Sequence, residues 1–225
     1  MQNYKDIFYT YNLEEIEKLK KLRPQLEALK YVPENCDPSF VSILEDDNPI
    51  KILRETLFLP PNEKEFLKTE AKTRMLKDLK SNDGNQSQDS EFDKGWAYRK
   101  GYISWPANAK RHQALQNCIA NFFNYDSICT GDFLYPEQGF RSWHTNKFDL
   151  AGWTMFIVLS SNEAESYFQF IDPDTEELIK IRENDLSLNF FQIKTQQPFW
   201  HSILNEKGLR WSVGFSIPHN WQSFL

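Results

Sequence analysis

Residues 154–171 read TMFIVLSSNEAESYFQFI, two apolar runs separated by a polar turn. Both runs, 154–160 and 167–171, are rich in β-branched and aromatic side chains, which favour strands. The Ser-Asn-Glu at 161–163 is typical of a turn. This stretch therefore predicts two neighbouring strands joined by a short connection.

The same pattern continues on both sides of this pair. Further strand-like segments fall at 132–135, 177–181, 188–193, 200–204 and 211–217. They are separated by turn-forming residues, which include PEQG at 136–139, DPDT at 172–175 and NEKG at 205–208. About seven short strands at even spacing, without alternation of strand and helix, predict a β-sandwich or barrel.

The N-terminal part of the chain has a different pattern. Apolar residues at three- and four-residue steps from Leu13 to Leu29 predict helix, and Pro24 is expected to divide or kink it. Two short strands at 39–44 and 50–53 and a second helix at 63–80 are expected to follow.

A polar segment then separates this part from the rest. Residues 81–90, SNDGNQSQDS, carry no apolar side chain and predict a loop or linker. We therefore expect a helical or mixed segment over 1–80 that packs on the core, a flexible linker or loop over 81–94, and a β domain over 95–225. Within that domain, residues 111–123 predict an amphipathic helix.

Composition limits the possible partners and location. The 225 residues are 40% hydrophobic and 26% charged, which suits a folded chain with a buried core. A formal net charge of -6 argues against broad attraction to nucleic acid or anionic lipid. Three cysteines at unrelated spacings predict reduced, buried thiols. No apolar run reaches the length of a membrane span, so a cytoplasmic protein with no membrane partner is expected.

A modest group of cations precedes the predicted amphipathic helix and is expected to be a solvated edge. Its members are Arg99, Lys100, Lys110, Arg111 and His112. Five cations without a repeated aromatic platform are a weak signal for nucleic-acid binding. We expect His112 and also His219 to lie on the surface.

Two other histidines carry the functional interpretation. His144 and His201 are 57 positions apart, and imidazole is a common metal ligand. Arg210 and Ser212 follow at alternate positions of the next predicted strand, so their side chains should share a face. A guanidinium and a hydroxyl together can hold a carboxylate. The four residues thus predict a metal site beside an anionic co-substrate.

In order and spacing, these four residues resemble the iron(II)- and 2-oxoglutarate-dependent oxygenases of double-stranded β-helix fold. The resemblance covers roughly residues 126–215 and implies an α+β protein with a jelly-roll core and flanking helices. It implies His144, Asn146 and His201 at the iron and Arg210 with Ser212 on the distal carboxylate of 2-oxoglutarate, with His144, His201 and Arg210 as the catalytic set. Residues 143–146, WHTN, also resemble oxygenase-like proteins of phages and cyanobacteria.

Asn146 departs from the family pattern, which has a carboxylate at this position. The amide oxygen is either a weaker neutral ligand, or the position is left to water or halide, or the site is inactive. Asp149 is a second carboxylate nearby, at a spacing that does not suit the family geometry. Beside the site, Tyr135 is a possible co-substrate contact and Arg141 is expected on the surface.

The expected function is hydroxylation of a peptide, a nucleobase or a small metabolite, with decarboxylation of 2-oxoglutarate to succinate. The alternative is a catalytically degenerate jelly-roll interaction or structural protein, such as a component of a phage assembly. A metal-binding enzyme of cupin type is a third reading, disfavoured because the chain has only 4 histidines.

Overall fold

The computed structural model describes part of the chain. The described residues are 2–4, 6, 8–29, 100–101, 103–104, 110–135, 137, 139–144, 151–172, 178–193, 199 and 201–225. The strands predicted at 39–44 and 50–53, the helix at 63–80, the linker at 81–94, and the residues Asn146 and Asp149 lie outside them.

Strands dominate the described part of the chain. They are β1 (Gln2–Tyr4), β2 (Phe8–Asn12), β3 (Lys100–Gly101), β4 (Ile103–Ser104), β5 (Cys129–Tyr135), β6 (Phe140–His144), β7 (Gly152–Ser160), β8 (Glu165–Ile171), β9 (Leu178–Glu183), β10 (Ser187–Ile193), β11 (His201–Lys207) and β12 (Arg210–Ile217). The α-helices are α1 (Arg23–Leu29) and α2 (Gln113–Phe123), and 3-10 turns cover Leu13–Glu15, Glu17–Leu22, Lys110–His112 and Trp221–Phe224. None of these helices is long and apolar enough to cross a membrane.

The strands form two antiparallel sheets. The larger sheet has the order β1-β2-β10-β7-β12-β5-β4, and the smaller has β3-β6-β11-β8-β9. From β5 to β12 the chain crosses repeatedly between the sheets, so that β10-β7-β12-β5 and β6-β11-β8-β9 make an eight-stranded core. This is the arrangement of a jelly roll. The predicted double-stranded β-helix core is therefore confirmed.

Alternation along the strands separates two hydrophobic clusters. On β12, Trp211, Val213 and Phe215 belong to the cluster on the outer face of the larger sheet, where the helices pack. Arg210 and Ser212 point the other way, into the space between the sheets. The second cluster fills that space and includes Phe168, Phe170 and Phe191.

The N-terminal segment is part of the larger sheet. β2 pairs with β10, and the ring of Phe8 stacks on that of Phe168 with 4.8 Å between centroids. Beyond β2, the helical pattern of Leu13–Leu29 forms 3-10 turns followed by α1. Pro24 lies in the first turn of α1, where a missing N–H needs no partner. The predicted helical run is therefore divided close to this proline, with 3-10 turns up to Leu22 and an α-helix that begins at Arg23.

The prediction that His112 and Arg111 lie on a solvated edge is wrong. His112 is 0% exposed, and its Nδ1 lies 3.2 Å from Oδ2 of Asp132. The Arg111 side chain is 11% exposed, with Nε 2.9 Å from the same oxygen. Both residues precede α2, and both side chains contact the buried carboxylate of Asp132 on β5. His219 is exposed, as predicted.

Candidate functional site

A pocket of about 310 Å³ of empty space, counting the part open to solvent, lies between the two sheets. Its polar lining residues are Arg141, Asn189, His201, Arg210 and Ser212, and Tyr135 also lines it. Three of the residues predicted from sequence, His201, Arg210 and Ser212, are thus brought into one cavity.

The two histidines of the predicted metal site occupy facing positions. His144 is the last residue of β6 and His201 is the first of β11, and the two are direct register partners in the antiparallel pair. His144 thus ends a strand that was not among those predicted from the sequence.

The His201 ring is held neutral in an aromatic enclosure. It is 3% exposed and stacks on Phe168 and Phe199, with centroids 5.3 and 5.4 Å away. Burial lowers the pKa of His201 to about 3, against the effect of its hydrogen bond to the Phe199 carbonyl. Because a carbonyl oxygen only accepts, Nδ1 carries the proton in this 2.9 Å contact. Nε2 therefore carries the lone pair, which is the form that binds a metal.

Arg210 is completely buried and pairs with a carboxylate of the same chain. Its Nε and Nη2 donate to Oε2 and Oε1 of Glu183 at 2.7 and 2.9 Å. Its Nη1 donates to Oγ of Ser212 at 2.9 Å, and its Cζ lies 4.9 Å from the centre of the Tyr135 ring. The guanidinium is thus oriented by three hydrogen bonds and its charge is compensated by Glu183.

Asn189 completes this polar group from β10. It is 0% exposed, and its Nδ2 donates to Glu183 Oε1 at 2.6 Å. Its Oδ1 is buried and has no hydrogen-bond partner among the described residues. The carboxylate of Glu183 therefore accepts hydrogen bonds from both Arg210 and Asn189, while Oδ1 of Asn189 has no donor among the described residues.

Phenylalanine side chains form the apolar walls of the pocket. The rings of Phe133, Phe156 and Phe191 are stacked in sequence, with 6.3 and 5.8 Å between successive centroids. Gly214 makes room for one of them, because a Cβ there would lie 2.4 Å from Cζ of Phe156. Its register partner Gly131 does the same for Phe133, at 2.3 Å from Cε2.

Arg141 was expected on the surface, and this prediction is wrong. It is half-buried on β6 and lines the pocket, and its Cζ lies 5.1 Å from the centre of the Phe133 ring. Its positive charge also contributes to lowering the pKa of His201, after the larger effect of burial.

The donor set fits iron(II) in part. His201 presents an unprotonated Nε2, and His144 is its register partner, whereas Asn146 lies outside the described residues. Among the residues that the structure describes, no group of three or more His, Cys, Asp or Glu side chains could hold a metal. Two imidazoles with an amide oxygen remain the predicted ligand set.

2-Oxoglutarate at Arg210 would share the guanidinium with a carboxylate of the chain itself. The guanidinium edge formed by Nε and Nη2 is already used by Glu183, whose carboxylate compensates the charge that a dicarboxylate would need. A second carboxylate beside Glu183 would meet a like charge in a site of low polarity.

Sequence reasoning missed Glu183 and Asn189. One signal was present for Glu183, because it alternates with Ile181 on β9 and so places a carboxylate on an apolar face. A charge at such a position needs a buried partner. Nothing comparable marks Asn189, since an amide within a strand is uninformative without its neighbours.

Comparison with known proteins gives no family model and no curated protein that matches this chain. Several solved structures are similar in fold. A prolyl hydroxylase from Trichoplax adhaerens, in complex with a peptide fragment of the hypoxia inducible factor oxygen degradation domain, has a TM-score of 0.40 and 13% identity, over 66% of this chain and 80% of that chain. A Pseudomonas putida prolyl-4-hydroxylase has a TM-score of 0.38 and 15% identity, over 54% and 71% of the two chains.

OsALKBH1 has a TM-score of 0.31 and 12% identity, and the match spans 40% of this chain and only 48% of that one. Cupins are also among the similar structures. With TM-scores this low, these likenesses assign no activity or substrate to the chain.

Proposed function

We propose that this protein is an iron(II)- and 2-oxoglutarate-dependent oxygenase that hydroxylates an organic substrate. The observation that carries the proposal is the facing register of His144 and His201 beside a pocket that Arg210 and Ser212 also line. Neutral His201 with its lone pair on Nε2 supports a role as a metal ligand. The resemblance of the four residues in sequence supplies the choice of metal and co-substrate.

Each residue has a distinct role in this proposal. His144 and His201 hold the metal, with Asn146 as the third ligand. Iron(II), when bound, would supply the redox centre for oxygen activation, and 2-oxoglutarate would supply two electrons through its oxidative decarboxylation to succinate and carbon dioxide. The phenylalanine walls exclude water, and Phe199 fixes the tautomer of His201 through its carbonyl oxygen.

The proposal extends to partners and location. A peptide, a nucleobase or a small metabolite is the proposed substrate, since the phenylalanine walls suit an apolar or flat group. A cytoplasmic location is proposed because Cys118 and Cys129 are free thiols, which a reducing compartment maintains.

A second candidate function is a catalytically degenerate jelly-roll protein that binds a ligand or takes part in an assembly, such as that of a phage. The pairing of Glu183 with Arg210 favours it, because the residue proposed for the co-substrate already has a carboxylate partner. The amide of Asn146, at the position where the oxygenase family has a metal-binding carboxylate, would be a second sign of lost catalysis.

Anaerobic titration with iron(II) and 2-oxoglutarate separates the two candidates. Under the first, a metal-to-ligand charge-transfer band appears and succinate is released in air. His201→Ala and Arg210→Ala should each abolish the release, while Glu206→Ala, a change in an exposed ion pair, should leave it intact. Unchanged succinate release in the His201 and Arg210 variants would contradict the oxygenase proposal. A folded protein that binds neither iron(II) nor 2-oxoglutarate would favour the second candidate.

A further inference from the structure

Asn189 Oδ1 is a buried acceptor to which a ligand could donate a hydrogen bond. The orientation of the amide is fixed, because Nδ2 donates at 2.6 Å to a carboxylate that can only accept. Oδ1 is then an acceptor, fully buried on a residue that lines the pocket and without a donor among the described residues. A buried acceptor without a donor is costly, so a ligand with an N–H or O–H group would be stabilised here.

Hydrogen-bond donors lie close to this acceptor. Asn189 and Arg210 both donate to Oε1 of Glu183, at 2.6 and 2.9 Å, so their side chains are neighbours. Arg210 has five N–H donors and uses three in its contacts with Glu183 and Ser212. Ser212 Oγ accepts from Arg210, which leaves its own hydrogen to donate. The polar end of the pocket therefore offers one acceptor among several donors.

The net charge of this polar end is zero, because Glu183 compensates Arg210. A carboxylate ligand would add a negative charge beside Glu183 and would bring no donor for Asn189. A primary carboxamide has no charge, and it offers an N–H donor and a C=O acceptor on adjacent atoms. The N–H donor of a carboxamide complements Asn189 Oδ1, and its C=O acceptor complements the donors of Arg210 and Ser212.

We propose that the polar end of the pocket, formed by Glu183, Asn189, Arg210 and Ser212, binds the neutral carboxamide of a ligand. The amide N–H donates to Asn189 Oδ1, and the amide oxygen accepts from Ser212 and Arg210. The ligand class is a small molecule that carries a neutral primary carboxamide. This inference rests on the proposed function only in taking the pocket as the ligand site.

Binding to metal-free protein tests the proposal without any activity. The probes are glutaramate and glutarate, which differ only in one amide and have the same carbon chain length as 2-oxoglutarate. Isothermal titration should give at least roughly tenfold tighter binding of glutaramate, because glutarate leaves Asn189 Oδ1 without a donor. Equal or tighter binding of glutarate would overturn the proposal, and so would the absence of binding by both probes.

A charge-neutralising variant provides a second test. Glu183→Gln keeps the shape of the side chain but leaves the charge of Arg210 uncompensated, so the preference should shift toward glutarate. Glu206→Gln is the matched control, since that carboxylate is exposed in a pair with Lys180, and it should keep the preference for glutaramate. A folded Glu183→Gln protein with an unchanged preference would contradict the role of Glu183. If the variant does not fold, the comparison of probes on the wild-type protein still decides.

Failure of this inference and failure of the proposed function have different signatures. Equal binding of glutarate and glutaramate, together with an iron charge-transfer band in the presence of 2-oxoglutarate, overturns the carboxamide site and leaves the oxygenase standing. A clear preference for glutaramate without iron(II) binding does the reverse.

Discussion

Glu183 at the end of β9 in the smaller sheet meets Arg210 at the start of β12 in the larger sheet, with 2.7 Å between Oε2 and Nε. The two side chains are 0% and 2% exposed. Burial alone would lower the pKa of Arg210, but the Glu183 carboxylate outweighs this and raises the pKa above its usual value. The guanidinium therefore remains charged in the core, and the pair ties the two sheets together beside the pocket.

Removing one partner of this pair should cost much stability. Glu183→Ala leaves a buried, uncompensated charge on Arg210, for which we expect a loss of about 3–5 kcal/mol in the free energy of unfolding, measured with urea. The double variant Glu183→Met/Arg210→Met should lose less than Glu183→Ala, because no charge remains buried. Glu206→Ala, in an exposed pair, should cost at most about 1 kcal/mol. Similar losses for Glu183→Ala and Glu206→Ala would show that the buried pair is not stabilised by mutual compensation.

The shape of the pocket should depend on Gly214. A Cβ at this position would lie 2.4 Å from Cζ of Phe156, so Gly214→Ala must displace that ring. We expect a loss of about 1–3 kcal/mol in unfolding free energy, together with weaker binding of any pocket ligand. Phe156→Leu introduced with Gly214→Ala should recover part of the stability, since the smaller side chain relieves the contact. A single Gly214→Ala variant with wild-type stability and binding would contradict the close contact between ring and backbone.

Much of the jelly roll follows from period-two alternation, which the sequence shows directly. β7 and β12 are long and apolar on their outer-facing positions, so both were predicted, and Arg210 and Ser212 were correctly placed on one face. β6 was missed because its sequence, FRSWH, has no clear alternation; it is held in the smaller sheet by backbone pairing with β3 and β11.

The candidate site is less predictable because its decisive contacts join distant parts of the chain. Glu183 and Arg210 are 27 positions apart and lie on different sheets, so only the packing of one sheet on the other brings them together. The burial of His112 was missed for the same reason, since its partner Asp132 lies 20 positions away on β5. The local sequence pattern identifies which face of a strand a side chain occupies. Which residue it contacts across the core depends on how the two sheets pack.

The neutral state of buried His201 predicts how the stability of the metal-free protein depends on pH. Its pKa in the folded protein is about 3, against 6.5 for an ordinary histidine. Between these values the unfolded chain binds a proton that the folded protein does not, so stability falls as pH falls below about 6.5. At about pH 5 this amounts to roughly 2 kcal/mol relative to neutral pH.

His201→Phe isolates this contribution. The variant keeps an aromatic ring among Phe168, Phe191 and Phe199, and all other titrating groups are shared with the wild type. Denaturant unfolding of both proteins in the presence of a chelator, from about pH 8 to pH 5, should show a smaller decline for the variant. Parallel declines would mean that folding does not lower the pKa of His201.

Asp132 should anchor the start of α2 to the larger sheet. Its carboxylate is buried on β5, and its Oδ2 lies 3.2 Å from His112 Nδ1 and 2.9 Å from Arg111 Nε. Asp132→Asn keeps the size of the side chain but removes the charge that these two donors face. We expect a loss of about 1.5–3 kcal/mol in unfolding free energy, and faster amide hydrogen exchange in α2 than in β12. Asp126→Asn, at an exposed position between the same helix and strand, should change stability by less than about 0.5 kcal/mol. Equal effects of the two substitutions would show that the buried carboxylate contributes nothing specific to the docking of α2.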